Sequence, residues 1–117
     1  MHAPRTLDPK RATQVVERLF AESVVPALVR YIEIPNKSPS FDPEWRKHGH
    51  MHRAMDLLVD WCRQEAVPGM QLEVIELPGR TPLLFLEVPG NSADTVVLYG
   101  HMDKQPEMTG WRSGLGP

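Results

Sequence analysis

The stretch Thr95-Val96-Val97-Leu98-Tyr99-Gly100-His101-Met102-Asp103 decides how this chain is read. Its first five residues are β-branched or apolar with no alternation, a pattern suited to a strand covered on both faces in the middle of an α/β sheet. The run predicts a central strand over 95–99, with Val96, Val97 and Leu98 in the core. Ligand sites in open α/β sheets collect at strand carboxyl ends, which is where His101 and Asp103 fall. In extended chain, residues i and i+2 point to one side, so the Asp103 carboxylate can reach the His101 ring. A carboxylate that accepts the imidazole N–H fixes its tautomer, orients the ring and raises its basicity toward a metal. A bare H-x-D is more often a histidine in a strand-to-loop turn beside an aspartate that closes an Asx-turn, so the pattern alone is a weak signal.

Working backward from the motif, Leu83 to Val88 and Gln71 to Leu77 read as two strands of a hairpin, punctuated by Pro78-Gly79. Leu72, Val74 and Leu84 are its expected core residues. Before them, Asp42-Pro43 gives an N-cap followed by a first-turn proline and opens a helix whose apolar face is Met51, Met55, Leu58, Cys62 and Ala66. Ala54 and Trp61 lie beside that face, and Pro68-Gly69 ends the helix. Pro35, Pro39 and Pro43 make the segment from Ile34 to Pro43 a loop. A first helix starts at Asp8-Pro9 and keeps its period through Val15, Val16, Leu19, Phe20, Val24, Leu28, Val29 and Ile32. Pro26 interrupts it, by a kink or by a restart. The expected arrangement packs both helices on one side of the sheet. Past the motif, Gly110, Gly114, Gly116 and Pro117 allow no regular element.

The chain has 117 residues, enough for one domain. Apolar residues make up 41% and charged residues 24%, an ordinary globular balance that argues against disorder. Thirteen basic and fifteen acidic side chains nearly cancel, which removes the footprint of a nucleic-acid partner. No apolar run approaches a membrane span, and the first ten residues lack a signal-peptide core. With Cys62 alone no intrachain disulfide can form, so the chain reads as reduced and cytoplasmic. Neither a P-loop nor a G-x-G-x-x-G fingerprint is present, which excludes the common nucleotide sites.

The run Thr95 to Asp103, continued by Lys104-Gln105-Pro106 and then Trp111, resembles the first metal-binding motif of the cocatalytic zinc exopeptidases and deacylases. These include carnosine dipeptidases, aminoacylase, glutamate carboxypeptidase and acetylornithine deacetylase, and the Gln105-Pro106 form leans toward the dipeptidase-like branch. Ala27-Leu28-Val29-Arg30-Tyr31-Ile32-Glu33-Ile34-Pro35-Asn36-Lys37-Ser38-Pro39 is similar to the first-helix-to-loop segment of the same enzymes. The likeness runs from about residue 10 to 117, with residues 1–9 expected as a flexible tail. It implies an α/β fold, the amino-terminal portion of a hydrolase-like catalytic domain with two helices on a mixed sheet. It implies that His101 is a ligand to one of two zinc ions, with manganese or cobalt as substitutes, and that Asp103 is its catalytic partner. The implied reaction is attack of a metal-activated water on the amide of a peptide or N-acyl amino acid, in a parent that forms a homodimer through a lid domain. Lys104 departs from the motif, where a small aliphatic residue is usual, and its ammonium suits a dication's neighbourhood only if it points to solvent.

Such a centre also needs a bridging aspartate, a Glu-Glu pair, a further carboxylate and a distant histidine. After Asp103 this chain offers Glu107 and no histidine. Zinc takes at least three protein ligands, so the expectation is an inactive amino-terminal piece of a larger enzyme. The rival reading is a small binding or scaffold domain in which H-x-D is structural. His48, His50 and His52 form a cluster, with His48 and His52 at i, i+4, that reads either as a solvated helical stretch or as an adventitious nickel or zinc site. A zincin reading fails for want of the H-E-x-x-H glutamate. Cys62 reads as an inert thiol on an apolar face. Trp45 and Trp61 read as packing residues, and Trp111 as a border of the site in the intact enzyme.

Overall fold

Asp8 sits ahead of Pro9, and its carboxylate accepts the N–H groups of Lys10 and Arg11 at 3.0 and 3.3 Å, satisfying donors that a helix start leaves open. The computed structural model describes residues 6–116. Helix α1, Pro9–Leu19, continues through a π-helical turn, Phe20–Val24, into α2, Val25–Ile32. The wide turn lies just ahead of Pro26. A proline has no N–H to donate and its ring presses on the carbonyl four residues back. Here the Val25 N–H instead reaches five residues back to the Phe20 carbonyl. The interruption expected at Pro26 is thus a change of helical register on a path that stays right-handed at Val24 and Val25. The expected tail, for Met1 to Arg5, lies outside the described residues, and Pro9 is already helical.

Residues up to Glu33 and residues from Ile34 onward form two compact units. In the first unit α1 buries none of its residues and α2 buries Ala27, while Phe20, Leu28, Val29 and Ile32 remain exposed. The periodic apolar stripe is present but uncovered.

In the second unit the helix expected from Asp42-Pro43 is two helices, α3, Trp45–His48, and α4, His50–Gln64. Gly49 divides them with φ +72°, capping α3 and opening α4. Asp42 does not cap with its side chain, because its carboxylate accepts the His48 Nδ1–H at 2.9 Å. The apolar face of α4 is as its spacing requires: Met51, Ala54, Met55 and Val59 are buried, with Leu58 and Cys62 half-buried. Ile34, Trp45 and Pro82 are the other buried apolar residues among those described in this unit. Because α4 stops at Gln64, Ala66 falls beyond it and is exposed.

The hairpin forms as expected but shorter, with β1, Gln71–Ile75, antiparallel to β2, Leu83–Glu87. Leu72 faces Leu86 and Val74 faces Leu84 across the ladder. Leu72 and Leu84 are half-buried and Val74 is exposed, so the core drawn through them is thinner than expected.

The central strand does not form. Residues 95–99 join no ladder, and Val97 and Leu98 are 83% and 92% exposed, with Val96 alongside them in solvent. The mixed sheet falls with it, since the sheet has two antiparallel strands among the described residues. The reason is pairing: a β-branched run has no intrinsic sheet, and without a neighbour to take its N–H and C=O groups it stays hydrated. The coarse class, mixed helix and strand, stands. No helix among the described residues is long and apolar enough to cross a membrane.

Two outcomes follow. A Cβ at position 49 would meet open space, so Gly49→Ala carries only the left-handed backbone penalty and should lower unfolding free energy by about 1 kcal/mol, read from urea midpoints. The unpaired apolar run should recruit other chains, giving concentration-dependent sedimentation that Val97→Lys suppresses.

Candidate functional site

The pair singled out by spacing is formed. His101 Nδ1 lies 3.0 Å from Asp103 Oδ1 and 2.9 Å from the Asp103 carbonyl oxygen. Both neighbours are acceptors, so Nδ1 carries the proton and donates to them, which leaves the lone pair on Nε2. The ring is 67% exposed and Asp103 half-buried, so the imidazole is the outer member of the pair. The placement differs from expectation, because with 95–99 unpaired, His101 does not stand at a strand end. The i, i+2 geometry survives because it needs only local extension.

What holds the motif is the loop from Ile34 to Ser38. Lys37 and Lys104 form an isolated parallel bridge, in which the Lys104 N–H donates to the Asn36 carbonyl and the Ser38 N–H to the Lys104 carbonyl, each at 2.9 Å. The Asn36 Nδ2–H donates to the Met102 carbonyl at 2.8 Å. Lys104 Nζ donates to the Ile34 carbonyl at 2.6 Å. The ammonium that sequence reading would send to solvent is therefore turned onto a backbone oxygen, and burial pushes its pKa down. Glu107, the one acid after Asp103, is paired with Lys37 at 2.8 Å. That contact holds its carboxyl below the usual glutamate range.

Sequence reading missed Asn36 as a partner of the motif. Nothing local marks a contact made across 66 positions, and the loop's prolines advertise only that the segment is irregular.

Gly49 leaves His48 on α3 and puts His50 and His52 on α4. His48 pairs with Asp42, whereas His52 stacks on Trp45 at a 6.0 Å centroid distance and pairs with Glu76 at 3.3 Å. The i, i+4 pair His48 and His52 is thus divided between two helices, each ring turned to its own carboxylate. Cys62 is half-buried on α4 and burial pushes its thiol up, away from the thiolate. Trp111 donates its Nε1–H to the Met108 carbonyl at 2.8 Å. A groove of about 400 Å³ lies between Trp45, His52 and the Leu77-Pro78 turn, and contains no residue of the motif.

Among the described residues no three His, Cys, Asp or Glu side chains converge on a point that could hold a metal. His101 Nε2 can ligate, and the second Asp103 oxygen could approach an ion, but two donors do not make a zinc centre. These residues fit one ligand of such a centre and not the centre itself. No family model and no curated protein matches the chain.

The Lys37–Glu107 pair gives a pH dependence of known sign. A carboxyl with a lowered folded-state pKa stabilises above the ordinary glutamate range, and that stabilisation is lost as pH falls through the lowered value. Carboxyl-carbon NMR should place the Glu107 midpoint below that of an unpaired glutamate, and Lys37→Met should return it.

Proposed function

We propose that this chain carries the first ligand motif of a metal-dependent hydrolase that cleaves a peptide or amide bond. The carrying observation is the His101–Asp103 pair, whose geometry puts the proton on Nδ1 and frees Nε2, the arrangement of a histidine prepared for a cation. In this reading His101 is the metal ligand and Asp103 the residue that orients it and raises its basicity. Zinc is the metal proposed, with manganese or cobalt as substitutes. The substrate class is a peptide or N-acyl amino acid. The remaining ligands and the general base come from chain outside these residues, since two donors fall short of a catalytic site. The finer fold, the amino-terminal portion of a zinc-exopeptidase domain, a homodimeric parent and a cytoplasmic setting belong to the same proposal.

One observation favours a second reading. The His101 Nδ1–H also bonds the Asp103 backbone carbonyl, which closes a local turn and would serve a binding domain without catalysis.

Zinc titration followed at His101, together with dipeptide hydrolysis, tests the proposal. The chain by itself should bind zinc weakly and turn over no dipeptide with added zinc or manganese. In the complete enzyme His101→Ala should remove metal and turnover together. Asp103→Ala should keep much of the metal and lose about 10–100-fold in rate. Unchanged metal content and activity in the His101 variant would remove it from the site.

A further inference from the structure

The exposed histidine is held from behind by a residue that is not exposed at all. Asn36 is 1% exposed and makes two bonds to the motif, one from its side chain and one from its backbone. The Met102 carbonyl belongs to the peptide plane that enters Asp103, and the Lys104 N–H belongs to the plane that leaves it. A peptide unit is rigid, so a bond at either group fixes the orientation of its whole plane. Asn36 Nδ2–H takes the first and the Asn36 carbonyl takes the second. Both planes flanking Asp103 are thus bound by one residue. The Asp103 carbonyl oxygen that meets His101 Nδ1 lies in the second of these planes.

We propose that Asn36 is the positioning residue of the His101–Asp103 pair: it locks the two peptide planes around Asp103, so that both Asp103 oxygens face Nδ1 and His101 presents an unprotonated Nε2. What Nε2 then binds rests on the reading given under Proposed function, whereas the positioning itself does not. The chemistry is specific to an amide. Nδ2 must donate, because its partner is a carbonyl. The amide's Oδ1 is buried with no hydrogen-bond partner among the described residues, so Nδ2 is the side-chain atom that binds the motif. A carboxylate of the same shape would set oxygen against oxygen. Lys104 acts separately, through Nζ on the Ile34 carbonyl, and is a brace to the loop.

The test is the tautomer of neutral His101, read from its ring nitrogen shifts in the 117-residue chain at alkaline pH, with α4 amide shifts reporting the fold. In wild type the Nδ1–H form should dominate. Asn36→Asp should lower the ratio of Nδ1–H to Nε2–H by about tenfold, the equivalent of one hydrogen bond. Lys104→Met, which keeps the backbone N–H, should leave the ratio unchanged. A purely structural Asn36 would loosen the loop without inverting the tautomer, so an unaltered ratio in folded Asn36→Asp overturns the proposal. If that variant does not fold, the wild-type Asn36 side-chain amide decides. Slow proton exchange there supports the lock, and exchange as fast as that of a free amide overturns it. Added zinc separates the two readings. Tautomer inversion in the variant with no zinc shift at wild-type His101 keeps the lock and sinks the metal assignment. Equal zinc shifts with an unaltered tautomer do the reverse.

Discussion

The donation from the Asn36 amide to the Met102 carbonyl is the contact on which the motif's geometry depends. Around it the parallel bridge between Lys37 and Lys104 and the Lys104 ammonium on Ile34 make one closed set of bonds between segments about 66–70 positions apart. Closing so long a loop carries an entropic cost that grows only slowly with length, and a cluster of bonds in a buried place can offset it where a single exposed one cannot. The cluster also sits beside buried Ile34, so part of its strength is the exclusion of water from the Asn36 amide.

The rest of the second unit is a conventional amphipathic solution with a limited core. The face of α4 buries Met51, Ala54, Met55 and Val59. The hairpin is two strands, and a two-stranded sheet needs a covered face to be stable by itself. Large apolar residues are left in solvent at Phe85, Leu86 and throughout 96–99, as they are along the helical path of the first unit. Exposed apolar residues that cluster into a patch mark faces that other protein covers.

How much of this was legible in the sequence depended on the range of the interaction involved. Asp8 and Pro9, the face of α4 and the hairpin were legible because caps, 3.6-residue spacing and turn chemistry act within a few residues. The His101–Asp103 contact was legible for the same reason. Residues 95–99 were misread because an apolar run states only that a strand would be buried if it had neighbours, and the neighbours are not encoded in the run. Gly49 was passed over inside a helical pattern, although only glycine adopts φ +72° there without strain. That one residue also places His48 and His52 on separate helices. Asn36 and the inward turn of Lys104 were not legible at all, since their partners are distant in sequence and carry no local signature.

Three histidines in the second unit are each held by a carboxylate, and comparing them shows why only one is a candidate ligand. His48 and Asp42, His52 and Glu76, and His101 and Asp103 share the same donor and acceptor types at about the same distances. The difference lies in what remains of each ring. His52 approaches Glu76 through Nε2, the nitrogen that would otherwise face outward, and its plane is stacked on Trp45. His48 donates from Nδ1, but its ring lies 5.9 Å from that of His50 and is less exposed than His101. His101 alone combines a fixed Nδ1–H, an outward Nε2 and a ring two-thirds in solvent, on a backbone locked from behind. Pairing with an acid is therefore common among these histidines and selects nothing by itself. The selection comes from anchoring the acid to the interior while leaving the imidazole outside, and the Asn36 contact to the Asp103 peptide planes is what produces that asymmetry.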